Sequence, residues 1–211
     1  MRTYLFDLDG TLIDSMPTFA STILRILNDY RIPYESDIIK TVTPLGLAGS
    51  AKHLAGMGVP MTQAELEDLI RDYLLYAYYH EIQPKEHVVA VLRELKVRGV
   101  GLNVLTASPH VTLDVCLKRL GMWDLFDNVW SCDDFGTTKA DPEIYHMVAR
   151  KLGVPVGEIL FLDDNYYSCA TAKSAGMQVC GVYDPSSKEY IEQMKTLAGR
   201  YVYDFQELLG E

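Results

Sequence analysis

Apolar runs of strand length recur five times along this chain, and all but one of the segments between them is short. The runs are TYLFDLD (residues 3–9), GLNVLTA (101–107), NVWSC (128–132), EILFLDD (158–164) and MQVCGVY (177–183). Each is brief and nearly continuous in its apolar residues, the pattern of a strand buried on both faces. Glu86 to Val97 carries a helical stripe of Val88, Val91, Leu92 and Leu95, and Val111 to Leu120 one of Val115, Leu117 and Leu120. Strands alternating with such helices bury both their faces only in a parallel sheet covered on each side, so an α/β fold is predicted.

One connection breaks the alternation. About ninety residues separate the first run from the second, far beyond an ordinary crossover. Met16 to Tyr79 holds several helical patterns, no convincing strand, and the breakers Pro33, Pro44 and Pro60. This predicts a helical cap domain over residues 16–79, inserted into a core made of residues 1–15 and 80–211. The insertion leaves from the carboxyl end of the first strand, the edge where open α/β sheets bind ligands, and so is placed to act as a lid. Tyr73, Tyr76, Tyr78 and Tyr79 lie near Leu69, Leu74 and Leu75, and are read as packing of a small bundle.

Charge narrows the partners. With 29 acidic and 19 basic residues the net charge is −10, which repels a nucleic acid or an anionic membrane surface but not a small anion held by local cations. No apolar run approaches the ~20 residues of a membrane span, and Met1 to Tyr4 leads into the first strand without a leader pattern. Cys116, Cys132, Cys169 and Cys180 show no CxxC spacing and sit in apolar stretches, as buried reduced thiols do, so a cytoplasmic protein is expected. The oligomeric state is not fixed by the sequence; a monomer is compatible with it.

The strand ends carry the chemistry. Asp7 and Asp9 are two apart at the end of the first run, so on a regular strand both side chains point to one face. The fourth run ends in Asp163 and Asp164, the second in Thr106-Ala107-Ser108, and Lys139 follows the third. Acids alone would repel, since two unit charges ~4 Å apart cost about 4 kcal/mol at an effective dielectric near 20. A hard cation among oxygen ligands is implied, and carboxylates without competing His or Cys favour Mg²⁺ sharing its shell with a phosphate. Thr106, the backbone N–H groups at Ala107 and Ser108, and Lys139 supply the opposite half, a cradle for phosphate oxygens. Asp14 and Ser15, before Pro17, read as helix caps.

These motifs resemble those of the haloacid dehalogenase-like (HAD) superfamily over nearly the whole chain. DLDGT is similar to its first motif, the Thr106 strand end to its second, Lys139 in KADPEIY to its third and FLDDN to its fourth, in that order. The insertion resembles the α-helical cap of the phosphoglycolate phosphatase and beta-phosphoglucomutase branch. The resemblance implies a Rossmann-like core and a Mg²⁺-dependent phosphatase of small phosphate monoesters. It also implies Asp7 as a nucleophile forming an aspartyl phosphate, Asp9 as general acid and base, and Lys139 and Thr106 with Ala107 on the phosphoryl group. Asp7, the backbone carbonyl of Asp9 and Asp164 would hold the metal, with Asp163 reaching it through water or holding Lys139. Ala140 replaces the family's usual proline after the motif lysine, and Phe19 stands in the stretch where the mutase branch commonly has a histidine.

Other readings fare worse. A sugar phosphomutase is the alternative, weakened by Phe19. A dehalogenase has no use for Asp9, and a phospho-acceptor signalling domain carries its acid pairs in another order. Asp134 to Gly136 (DFG) lacks any companion kinase motif and reads as a turn. Substrate choice points to TPLGLAGSAKHL (43–54), read as a cap loop, where Gly46 permits close approach and Lys52 or His53 offers a polar contact; Ser108 is a further candidate.

Overall fold

The computed structural model describes residues 3–210; Met1 and Arg2, on which the leader reading partly rested, lie outside them. Six parallel strands form one sheet in the order β3-β2-β1-β4-β5-β6. They are β1 Thr3–Phe6, β2 Gly101–Thr106, β3 Asn128–Ser131, β4 Ile159–Asp163, β5 Gln178–Val182 and β6 Arg200–Val202. The α/β architecture expected from the alternation, and the Rossmann-like core that the resemblance implied, are what is observed. Strand β6 was not anticipated, because RYV is only three residues long and opens on an arginine.

Strand β1 lies at the middle, with Phe6 opposite Val104 of β2 on one side and Leu162 of β4 on the other. Chain order runs outward from β1 through β2 to β3, then restarts across β1 at β4. That reversal is the switch point beyond which α/β sheets hold ligands.

The chain divides into two compact units, one ending at Asp14 and resuming at Gln83, the other Ser15–Ile82. The second unit contains α1 Met16–Asp29, α2 Ile38–Val42, α3 Gly46–Gly56 and α4 Gln63–His80. It has its own apolar core, including Ile23, Ile26, Leu27, Leu54, Leu66 and Ile70. Thr62 and Glu65 close a capping box on α4. The 43–54 stretch is corrected from a loop to a 3-10 turn, Thr43–Leu45, followed by α3. Ala51 and Leu54 are buried three apart there, and Ser50 donates to Val42 O at 2.9 Å, which fastens the helix to what precedes it. The tyrosines of α4 are also corrected in part: Tyr73 packs on this core, whereas Tyr76 and Tyr79 are exposed.

The first unit carries α5 Val88–Val97, α6 His110–Arg119, α7 Glu143–Leu152, α8 Tyr166–Ser174 and α9 Ile191–Leu197. The expected α5 stripe is buried residue for residue. On α6 the buried face is Thr112, Leu113, Cys116 and Leu117, so of the stripe read from the sequence Leu117 is buried while Val115 and Leu120 are only partly so. Leu5, Phe161, Ile144 and Tyr145 are fully buried in the core against the sheet, and the Tyr145 and Phe161 rings meet edge to face at 5.3 Å. All four cysteines are buried, and none is in a disulfide among the described residues. No helix among the described residues is long and apolar enough to cross a membrane.

Phe161→Ala should therefore empty a fully packed site between sheet and α7. A loss of about 3–5 kcal/mol in urea unfolding is expected; a loss below ~1 kcal/mol would show that the site collapses freely.

Candidate active site

The sequence places Asp7 and Asp9 on one face of a strand, and the structure corrects this. Strand β1 ends at Phe6; Asp7 still donates its N–H to Leu162 O at 2.9 Å, but the chain then turns. Leu8 O accepts from the N–H groups of Thr11, Leu12 and Ile13 at 3.3, 2.8 and 3.1 Å. Gly10 makes the turn with φ +79°, and a Cβ there would lie 2.9 Å from the Asp164 carboxyl atoms. Only glycine fits both the left-handed backbone and the close approach. Asp9 is thus delivered by a turn, where its Oδ2 accepts from Ser108 Oγ at 2.5 Å.

Three carboxylates converge at the sheet edge. Asp7, Asp163 and Asp164 are all buried, and an oxygen of each lies within 4.8 Å of the others. Lys139 Nζ bridges two of them, at 2.5 Å from Asp7 Oδ1 and 2.8 Å from Asp163 Oδ2. Asp163 Oδ1 accepts from Asn165 N–H at 2.7 Å, so both its oxygens are engaged. Asp164 meets a hydroxyl instead: Thr11 Oγ1 donates to its Oδ1 at 3.3 Å and accepts from its backbone N–H at 3.1 Å. Asn165, not either aspartate, caps α8, accepting from Tyr167 and Ser168 N–H.

The second strand end is similarly defined. Thr106 is buried at the end of β2, and its Oγ1 accepts from Ser108 N–H at 3.0 Å, leaving its own O–H to donate. Ala107 is exposed beside it. The loop bearing Lys139 is anchored by Tyr145, whose hydroxyl is 3.1 Å from both Lys139 O and Ser168 O. This anchor holds the lysine loop without the family's usual proline; Ala140 N–H bonds instead to Thr138 Oγ1 at 3.4 Å.

Electrostatics mark the edge as short of positive charge. Burial holds the Asp7 carboxyl well above its ordinary value; Lys139 opposes this, while Asp163, Asp164 and Asp9 reinforce it. Asp164 is pushed up to about 7, first by burial and then by Asp163 and Asp184, against Lys85 and Lys139. Burial alone would lower the Lys139 ammonium, but Asp163 and Asp7 together raise it well above the usual lysine range. Three buried carboxylates and one ammonium at contact distance leave room for a further cation, and an all-oxygen donor set suits a hard divalent one.

Several residues fall elsewhere. Ser15 is the N-cap residue of α1, as expected, though without a side-chain cap bond, and Asp14, one residue before it, donates its N–H to Gln83 O. Gly46, Lys52 and His53 belong to α3 of the helical unit, Lys52 exposed and His53 partly so. Phe19 packs partly buried against that unit's core. The DFG segment is a 3-10 turn as expected, with Asp134 Oδ2 accepting from Ser131 N–H. Thr11 and Gly10 stood inside DLDGT, but their contacts with Asp164 follow from the turn rather than from spacing.

The chain belongs to the haloacid dehalogenase-like hydrolase family, whose model matches residues 1–176. It is an enzyme of that family, of the phosphatase type. Among its relatives is Pyrophosphatase PpaX of Bacillus velezensis, 31% identical over 183 residues, which are 84% of this chain and 81% of that one. Pyrophosphatase PpaX of Bacillus cereus is 27% identical over 199 residues, 92% and 89% of the two chains. In structure the chain is similar to a candidate beta-phosphoglucomutase from Thermotoga maritima, at a TM-score of 0.86 and 22% identity, covering 100% and 99% of the chains. A HAD family hydrolase from Deinococcus radiodurans, with bound phosphate and sodium, matches at a TM-score of 0.80 and 20% identity, covering 99% and 93%.

At the rim of this edge, His110 joins α6 to the turn after β3. Its Nδ1 lies 2.7 Å from Asp114 Oδ1 and its Nε2 2.9 Å from Asp134 Oδ2. Asp114 first, then Asp134, raises the imidazolium above its ordinary 6.5. A raised value means the contribution to stability is full below pH ~6.5 and is lost as pH rises through the folded value. Urea midpoints measured against pH should show this loss in the unaltered protein and not in His110→Gln; identical profiles would show that the pair carries no pH-linked stability.

Proposed function

We propose that the protein is a Mg²⁺-dependent phosphatase that hydrolyses a small phosphate monoester through an aspartyl phosphate on Asp7. The observation that carries this reading is the Lys139 ammonium seated between Asp7 and Asp163, with the Asp9 carboxyl group on the adjoining turn to give and retake a proton. The pair separates two tasks: Asp7 attacks phosphorus while Asp9, held by Ser108, handles protons. The bond from phosphorus to the ester oxygen breaks, and that oxygen takes its proton from Asp9. Asp9 then accepts a proton from the water that cleaves the acyl phosphate, which returns both carboxyl groups to their starting states.

Lys139 and the Thr106 hydroxyl, with the backbone at Ala107, would meet the phosphoryl oxygens, where charge is spread in the transition state. Asp7, the Asp9 carbonyl and Asp164 would hold Mg²⁺, with Asp163 engaged by Lys139. When bound, the ion neutralises the cluster and polarises the phosphoryl oxygens. Thr11 fixes Asp164 for that task by bonding to its carboxylate and its backbone at once.

A second substrate class, pyrophosphate, is favoured by the likeness to the PpaX pyrophosphatases. Its phosphoanhydride presents the same phosphoryl group with a phosphate as leaving group, so the steps at Asp7 and Asp9 are unchanged. The helical insertion, residues 16–79, would choose between such leaving groups, with Gly46, Lys52 and His53 as its candidates and Ser108 as one from the core.

Asp7→Asn keeps the shape and removes the nucleophile, so turnover should fall by more than about a thousandfold with the unfolding curve intact. Chelation by EDTA should abolish activity and Mg²⁺ restore it. Normal turnover by Asp7→Asn would sink the covalent mechanism; full activity in EDTA would remove the metal from it.

A panel of phosphate esters with pyrophosphate tests the division of roles. Lys139→Ala should lower kcat/KM on every substrate by a similar large factor, whereas Lys52→Ala should change the substrates unequally. Unchanged rates in Lys52→Ala would make it a solvated charge, and altered preference in Lys139→Ala would contradict its contact with the common phosphoryl group.

A further inference from the structure

Lys85 and Asp184 form a buried ion pair that the hydrolysis above does not use. Lys85 Nζ lies 2.8 Å from Asp184 Oδ2, the side chains being 15% and 1% exposed. The ammonium also donates to Tyr183 O at 2.7 Å. Asp184 Oδ1 is satisfied separately, by Ser186 N–H at 2.9 Å and Ser186 Oγ at 2.6 Å. Among the described residues no well-aligned hydrogen bond reaches Oδ2, and it is the Lys85 charge that meets that oxygen.

The pair sits on the acidic edge. Asp163 is opposite Gly181 in the β4–β5 register, so Asp184, three residues past Gly181, leaves the sheet at the same end as Asp164. Lys85 reaches it from the β1 side: its N–H donates to Leu12 O at 3.0 Å, and Leu12 N–H to Leu8 O at 2.8 Å, in the turn whose Thr11 holds Asp164. Beneath the larger effect of burial, Asp184 and Lys85 act on Asp164 with opposite sign. As a stabilising contact a buried pair is poor, because desolvating two charges consumes most of what their attraction returns. Its use here is electrostatic: with both members present it adds no net charge beside Asp164.

We propose that Lys85 and Asp184 are positioning residues for the divalent cation of the acidic cluster, a neutral pair that fixes the charge balance at the Asp164 end of the edge and with it the affinity for the ion. This rests on the metal-dependent reading above. Asp184→Asn leaves the ammonium uncompensated and should weaken the site, while Lys85→Met leaves an extra carboxylate and should strengthen it. The double variant, neutral again, should return to the unaltered affinity.

The test is calorimetric titration of the full chain with Mg²⁺ alone. One unit charge acting on a dication near a solvated edge corresponds to a shift of roughly tenfold in Kd, in opposite directions for the two single variants. Should either single variant fail to fold, the other compared with the double variant still isolates one charge and should show the same shift. A structural role alone would move both single variants the same way. Shifts of one sign, or none, overturn the proposal and leave the metal reading standing. No Mg²⁺ binding by the unaltered protein overturns the metal reading itself.

Discussion

The Lys139 ammonium, shared between Asp7 and Asp163, is the contact around which the rest of the core is arranged. Without it two buried carboxylates would face each other across the ends of adjacent strands, at a cost no ordinary packing would offset. Each neighbouring element holds a member of this triad. Strand β1 presents Asp7, β4 presents Asp163, and the loop after β3 carries Lys139, tied down from α7 by the Tyr145 hydroxyl. The sheet order makes this possible, because β1 and β4 are hydrogen-bonded neighbours with Phe6 opposite Leu162.

A second layer of contacts turns that pairing into a site with distinct parts. The same turn that takes Asp9 away from the strand brings Thr11 to Asp164 and lets Gly10 pass against its carboxyl group. Ser108, at the end of β2, then reaches the Asp9 carboxylate while its N–H closes on Thr106. So the carboxylates are sorted by partner: ammonium for Asp7 and Asp163, hydroxyl for Asp9 and Asp164. Burial and its acidic neighbours push the Asp164 carboxyl up to about 7, and burial holds Asp7 well above its ordinary value even beside the ammonium.

Much of this architecture was legible in the residues, for physical reasons. Buried parallel strands must be apolar throughout, so five of six announced themselves, and their ends had to be where charged residues could reach solvent or one another. Strand β6 escaped because three residues make no pattern. The α6 stripe was only partly right, Leu117 being buried, because Val115 and Leu120 are as apolar as the residues that are buried, and periodicity cannot tell which side of a short helix faces the sheet. Segment 43–54 was misread because Gly46 and Gly49 suggest a turn, whereas Ala51 and Leu54 gain more by closing the helical unit's core.

Contacts among the site residues were the least legible part, since they depend on where a chain turns and not on what it contains. Asp7 and Asp9 look equivalent in DLDGT, yet one is bonded to the neighbouring strand and the other stands in the turn just before a left-handed glycine. The Lys85–Asp184 pair lies 99 residues apart by sequence number and joins a segment just after the insertion to the loop after β5. No local pattern links them. They meet because β5 runs beside β4 and because Lys85 is hydrogen-bonded to the Leu12 carbonyl, so the sheet's order, fixed by apolar runs far from either residue, is what places opposite charges beside Asp164.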